Sequence, residues 1–259
     1  MLVAPRRVLT MTILNQGSTA LVTGGSGGIG SAVVQMLAHH GVSVIALSDD
    51  ADGLDALQVS GPIEKILLDV TDAAAMRSTF SERSVDILVS AAGVLGVTGT
   101  LFDVPAASSQ RILDVNVMGT HNALSAVVPG MIRRNRGHVI NIGSIAGPYP
   151  STGQPMYSAS KAAVHNMSAN LRMELFGTDI RVTELRPGRV RTGMHAEMFG
   201  GDRAKANEQL YDPYECLKAD DIAEVIRFVL TMPPHACVAQ IEVVPTHQVV
   251  GGTKMFQRT

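Results

Sequence analysis

The chain has 259 residues, 46% hydrophobic and 17% charged, enough for one large domain with a substantial core. A net charge of −2 leaves no electrostatic footprint for nucleic acid or an anionic membrane, and no run approaches the roughly 18 apolar residues needed to cross a bilayer. Two cysteines, Cys216 and Cys237, make no disulfide framework and read as reduced thiols of a cytoplasmic protein.

Residues 1–16 read as a flexible extension, because Arg6-Arg7 is followed by no apolar signal core and cleavage site. Met11 is an equally good start, since the ordered pattern begins soon after it. From residue 17 strand and helix patterns alternate without a break, repeat or linker. This predicts an α/β fold: a single doubly wound Rossmann domain over 17–259, with helices on both faces of the sheet.

Thr19–Thr23 is a short apolar run, the first buried strand. The loop Gly24-Gly-Ser26-Gly-Gly28-Ile29-Gly30 follows, and a helix opens at about Ser31. Strand, glycine loop and helix N-terminus together make a phosphate cradle. Glycines admit close approach of the backbone, and free N–H groups with the helix dipole attract pyrophosphate. The spacing is Gly24-x-x-x-Gly28-Ile29-Gly30, not G-x-G-x-x-G.

The second strand, Val42–Leu47, ends in Ser48-Asp49-Asp50, where the adenosine ribose of a dinucleotide would lie. A carboxylate there accepts from ribose hydroxyls and repels a 2′-phosphate, and no Arg or Lys stands nearby. NAD is therefore the expected cofactor, with NADP left open; the bland alternative is that the two aspartates only cap a helix. Asp69-Val70 closes a third strand beginning at Ile63, and Asp69 has the chemistry to accept from an adenine amino group or simply to serve a turn. The fourth strand, Val85–Ser90, ends in Ala91-Ala92-Gly93, small enough to let a dinucleotide lie on the backbone. A helix is expected over Ala107–Val128, ended by Pro129. Asn116 lies inside it, and a buried helical amide needs partners, structural or functional.

The basic run Arg133-Arg134-Asn135-Arg136 has no interleaved aromatics and reads as a solvated turn. A fifth strand, Val139–Ile142, leads to Gly143-Ser144, then to a loop over Gly147–Ser151 and a helix from about Pro155 to Phe176. Tyr157 and Lys161 are four residues apart on that helix, one turn from each other on one face. A phenol beside a fixed ammonium is easier to ionise, so such a tyrosine can exchange a proton with an alcohol or carbonyl. Ile180–Leu185 is a sixth strand, followed by Arg186-Pro187-Gly188-Arg189-Val190-Arg191-Thr192. The stretch at about 189–214 reads as a mobile lid. A helix over about 220–230 and a strand over Cys237–Val244 complete the chain, and none of the eight histidines has metal-ligand spacing, so no metal is expected.

With these residues in place, the chain resembles the compact single-domain branch of the short-chain dehydrogenases/reductases from Thr19 to Thr246. The resemblance rests on Thr23-Gly24-x-x-x-Gly28-Ile29-Gly30, Asp69-Val70, Asn116, Ser144, Tyr157-x-x-x-Lys161 and Pro187-Gly188-x-Val190-x-Thr192, in that order. It implies a seven-stranded, mostly parallel sheet and hydride transfer between a nicotinamide cofactor and a secondary alcohol or ketone. Tyr157 would be the general acid/base, Lys161 would lower its pKa and bind the nicotinamide ribose, and Ser144 would orient the substrate oxygen. Asn116 would hold a water linking Lys161 to solvent. Val190 and Thr192 would contact the carboxamide, and Asp69 the adenine. A homotetramer or homodimer is implied.

Two departures stand out. Ser90-Ala91-Ala92-Gly93 replaces the family's usual Asn-Asn-Ala-Gly, which should loosen the sheet centre or shift the cofactor. The C-terminal strand is similar to a subgroup acting on small polar hydroxy compounds, which often carries Arg and uses NADP where this chain has Asp49. The substrate pocket is expected from Ile145, Pro148, Tyr149, Met156 and the 193–214 segment, with Met194, Met198 and Phe199 as wall and Arg189, His195 and Glu197 as polar contacts. The rival functions are a catalytically silent nucleotide sensor or scaffold, and an epimerase or dehydratase on the same fold. An intact Ser144, Tyr157 and Lys161 argue against the first, and the short segment after Pro187 against the second.

Overall fold

The computed structural model describes residues 12–150, 152–249, 252 and 254–256. Of the extension expected at 1–16, residues 1–11 lie outside these, and Ile13 and Leu14 pack on the core. Ser151, expected in the loop before the tyrosine helix, is also outside the described residues.

Seven strands form one wholly parallel sheet: β1 (Thr19–Thr23), β2 (Ser43–Ser48), β3 (Ile63–Leu67), β4 (Ile87–Ser90), β5 (Gly137–Ile142), β6 (Ile180–Pro187) and β7 (Gln240–Val243). Their order is β3-β2-β1-β4-β5-β6-β7. The order reverses direction between β1 and β4, the place where an open α/β sheet leaves a crevice at its carboxyl end. The register aligns Thr23 with Ser90, and Ser90 with Asn141. Three loop starts therefore emerge side by side.

The helices are α1 (Gly28–His39), α2 (Ala51–Ala56), α3 (Ala73–Phe80), α4 (Ala106–Leu113), α5 (Thr120–Arg134), α6 (Pro155–Glu174), α7 (Arg203–Ala206) and α8 (Ala219–Thr231). β4 and β5 are buried along their whole length, because helices cover both sheet faces, and both read as continuous apolar-rich runs. One face packs under α1 and α8; the residues Ile222, Ala223, Ile226, Val229 and Leu230 make the buried stripe of α8. The other packs under α3 and α5, through Met76, Phe80, Val127 and Met131.

The helix expected to stop at Pro129 runs on to Arg134. Pro129 offers no N–H and costs an interior helix roughly 3 kcal/mol. Burial of Val127, Val128 and Met131 on either side of it overrides that cost. The helix ends instead at Asn135, in the left-handed region at φ 45°. Its amide donates to Asp179 at 2.9 Å and accepts from the Asp179 N–H at 2.9 Å, which holds the turn. Between α4 and α5, Asp114–Gly119 form a π-helical turn. The extra residue per turn swings Asn116 inward.

His138, fully buried in β5, bonds the Thr183 hydroxyl through Nε2 at 2.8 Å. Burial, then the Arg181 charge, lowers its pKa to about 3. The unfolded chain binds that proton near 6.5, so stability is full above 6.5 and falls as pH drops toward 3. Urea unfolding of the wild type should lose up to about 1.4 kcal/mol per pH unit across that window from this group. His138→Phe should flatten the slope, and an unchanged slope would contradict the assignment.

Candidate active site

The carboxyl ends of β1, β2, β4, β5 and β6 open into a cleft of about 560 Å³. The cofactor residues expected from sequence line it: Gly24, Ser26, Gly28, Ile29, Gly30, Ser48, Asp49, Asp69, Val70, Ala92, Gly93, Tyr157, Lys161, Pro187, Gly188, Val190 and Thr192. Asn116 is the exception and sits behind the wall.

The glycine loop fits a dinucleotide because side chains have no room there. Gly24 has φ +65°, and a Cβ on it would meet the Ala92 backbone at 2.8 Å. A Cβ on Gly28 would lie 2.7 Å from Thr192 Cγ2, and one on Gly30 would strike the Gly24 carbonyl. The backbone is thus bare where phosphates would approach, at the N-terminus of a 12-residue helix.

Ser144, at the end of β5, is buried and accepts from the Ala146 N–H at 3.1 Å. Its hydroxyl lies close enough to the Tyr157 phenol to favour the phenolate. Lys161 is buried and donates to the Ile142 carbonyl at 2.9 Å, with its nitrogen 5.8 Å from the Tyr157 ring centre. The electrostatics differ from the simple expectation. Burial pushes the Tyr157 phenol up, against the smaller effect of the Ser144 hydroxyl. Burial also lowers Lys161 to about 8, opposed by the Glu184 carboxylate. At neutral pH the phenol keeps its proton and the ammonium keeps its charge.

Asn116 is fully committed. Its Oδ1 accepts from the Val94 N–H at 2.8 Å, and its Nδ2 donates to the Val94 carbonyl and to Ser160 Oγ, each at 2.9 Å. It clamps the chain after β4 to α6, the helix carrying Tyr157 and Lys161. This clamp, with the Ala92 N–H bonded to Thr23 Oγ1 at 3.3 Å, holds the segment that the missing amides were expected to loosen.

A second pocket of about 220 Å³ adjoins the cleft, and Ser144, Tyr157, Gly188, Met194 and His195 line both. Ile145, Tyr149, Arg189 and Met198 line it as expected, whereas Pro148, Met156 and Phe199 stand outside its wall. Glu197 lines the main cleft instead. Its carboxylate accepts from the Leu95 and Gly96 N–H groups at 3.2 and 2.8 Å. The 189–214 segment has structure of its own: a 3₁₀ turn at Gly193–Phe199, α7 and a π turn at Asn207–Tyr211. The buried Tyr211 hydroxyl donates to the Thr192 carbonyl at 3.0 Å and meets His195 Nδ1 at 2.7 Å. Because that hydroxyl proton is spent on Thr192, His195 donates from Nδ1. Burial, then the Arg189 charge, lowers His195 to about 4, so it is neutral at ordinary pH. Tyr211 was not legible as a site-building residue, since a lone Tyr in a mixed segment carries no pattern.

Among the described residues, no group of three His, Cys, Asp or Glu could hold a metal ion, and no helix is long and apolar enough to cross a membrane. Cys216 and Cys237 are free thiols.

The short chain dehydrogenase family model matches residues 18–202, and the chain belongs to that family of oxidoreductases. It is 35% identical over 245 residues to an NADP-dependent 3-hydroxy acid dehydrogenase of Salmonella typhi, covering 92% of this chain and 98% of the relative. It is 32% identical over 248 residues to a serine 3-dehydrogenase of Rhizobium radiobacter, covering 93% and 99%. The solved closed form of a serine dehydrogenase complexed with NADP+ superposes with a TM-score of 0.83 at 33% identity, covering 93% of this chain and all of that one.

These relatives overturn the expectation of NAD, for the Salmonella enzyme is NADP-dependent and the serine dehydrogenase structure holds NADP+. In the structure one of the two aspartates is already engaged. The Asp50 carboxylate caps α2 by accepting from the Gly53 N–H at 3.0 Å. The Ser48 hydroxyl bonds Ser26 Oγ at 2.7 Å and accepts from the Asp50 N–H at 3.1 Å. The exposed Asp49 side chain makes no hydrogen bond with the described residues. One aspartate is a helix cap, and the other is not fixed as a ribose acceptor.

Glu184 is buried, and its charge holds Lys161 up against desolvation. Glu184→Gln should therefore move the Lys161 titration to lower pH. This is read as a downward shift of the apparent pKa in the pH profile of kcat/KM, and no shift, or an upward one, would contradict it.

Proposed function

We propose that this chain is an NADP-dependent oxidoreductase interconverting a small hydroxy acid and its oxo form. The observation that carries the reading is the shared wall: Ser144 and Tyr157 face both the dinucleotide cleft and the smaller pocket. A group bound in the small pocket would meet the cofactor at those two hydroxyls. When bound, the nicotinamide supplies the hydride acceptor or donor. The hydroxy-acid class is favoured by the names of the relatives. It is also favoured by Arg189, the one formally charged side chain lining the small pocket among the described residues.

In the reducing direction Tyr157, protonated at neutral pH, donates to the carbonyl oxygen of the substrate while Ser144 holds that oxygen. Lys161 keeps a positive charge beneath the phenol and stabilises the phenolate left behind. In the oxidising direction the phenolate form of Tyr157 takes the hydroxyl proton, and the phenol is regenerated. Asn116 is a positioning residue: it fixes α6 against the chain after β4 and touches no reacting atom. The 189–214 segment acts as a lid, anchored by Glu197 on the Leu95 and Gly96 amides. Exposed Met118 and Met173, on the helical stretch Ala106–Arg134 and on α6, suit pairing of subunits across these helices.

Tyr157→Phe should lower kcat by about 10²–10⁴-fold in both directions, the usual worth of a positioned acid or base. NADPH affinity, followed by its fluorescence, should stay near that of the wild type. A variant with wild-type turnover would remove Tyr157 from its role. For the wild type, reduction should slow as pH rises through about 8, where Lys161 loses the charge that stabilises the phenolate. A reduction profile that stays flat across that range would contradict the assignment.

A further inference from the structure

The phosphate cradle contributes backbone amides and no cation, for Gly24–Gly30 and the end of β2 hold neither Lys nor Arg. A pyrophosphate brings two negative charges to it. Three cationic side chains line the cleft among the described residues: Lys161, Arg111 and Arg203. Lys161 is engaged with Ile142.

Arg203 opens α7 and reaches the cradle from the lid side. A Cβ on Gly193 would lie 3.3 Å from its Nη2, so the guanidinium rests against that glycine. The neighbouring Thr192 abuts Gly28 at the cradle. The sequence of contacts Arg203, Gly193, Thr192, Gly28 brings the guanidinium to the mouth of the cradle, opposite the N-terminus of α1. Arg203 makes no hydrogen bond or ion pair with the described residues, unlike Arg191, which is paired with Asp212 at 2.9 Å. The carboxylate beside it, Asp202, is spent on capping α7 through the Lys205 N–H at 3.0 Å.

We propose that Arg203 is a phosphate-binding residue of the lid. Its planar fork takes the pyrophosphate from one side while the α1 amides take it from the other, so that cofactor binding draws the 189–214 segment onto the site. The proposal rests on the reading of the cleft as a dinucleotide site.

The test is calorimetric titration of the full chain with two ligands lacking nicotinamide. One is 2′-phospho-ADP-ribose, which carries the pyrophosphate; the other is adenosine 2′-monophosphate, which carries no 5′-phosphate. Arg203→Gln should weaken the first by roughly tenfold and leave the second unchanged, and Arg203→Lys should recover part of the loss. Equal affinity of wild type and R203Q for the first ligand would overturn the proposal, as would equal losses for both. If the wild type binds neither ligand, the dinucleotide reading of the cleft falls, and the role of Arg203 falls with it.

Discussion

One ammonium group, fixed beneath the carboxyl end of a parallel sheet, is the constraint on which the site depends. Lys161 is buried and held by a single described hydrogen bond, to the last carbonyl of β5. Burial makes that charge costly, and the Glu184 carboxylate on β6 offsets part of the cost. Two neighbouring strands thus hold a helix residue charged at neutral pH. The same helix carries Tyr157 one turn away, so whatever fixes Lys161 also aims the phenol. Asn116 completes the arrangement from the other side. Its amide uses both its oxygen and its nitrogen to join the chain after β4 to α6.

The main cleft and the smaller pocket are joined through few residues. Thr192 abuts Gly28 at the glycine loop, and the Tyr211 hydroxyl ties Thr192 to His195 at the smaller pocket. A displacement of the 189–214 segment would therefore be felt in both cavities. Burial keeps His195 neutral and Tyr157 protonated, and the positive charge beside the phenol is that of Lys161.

Much of this was legible in the sequence because the local patterns and the fold agree. Buried parallel strands must be apolar runs, a strand–glycine–helix start must be a tight turn, and Tyr157 and Lys161 four apart must share a face. The misses have physical causes. Pro129 reads as a helix end, yet the burial of its neighbours carries the helix six residues further, if one counts the extension from Val128 to Arg134. The π turn around Asn116 has no local signature, because it is imposed by the bonds of its amide across 22 and 44 residues. The proton balance of Tyr157 is not legible, because proximity to an ammonium is visible in sequence, whereas the depth of burial is not. Asp49 and Asp50 pointed to NAD because side-chain type is readable there, but the commitment of Asp50 to the start of α2 is not.

The most direct test is isotopic. NADPH deuterated at C4 is incubated with the protein and a panel of small oxo acids, and the alcohol product is analysed by mass spectrometry. Deuterium on the carbinol carbon, together with its loss in Tyr157→Phe, is the expected result. Tight binding of NADPH with no label reaching any product would instead mark a silent nucleotide-binding protein built on a dehydrogenase fold.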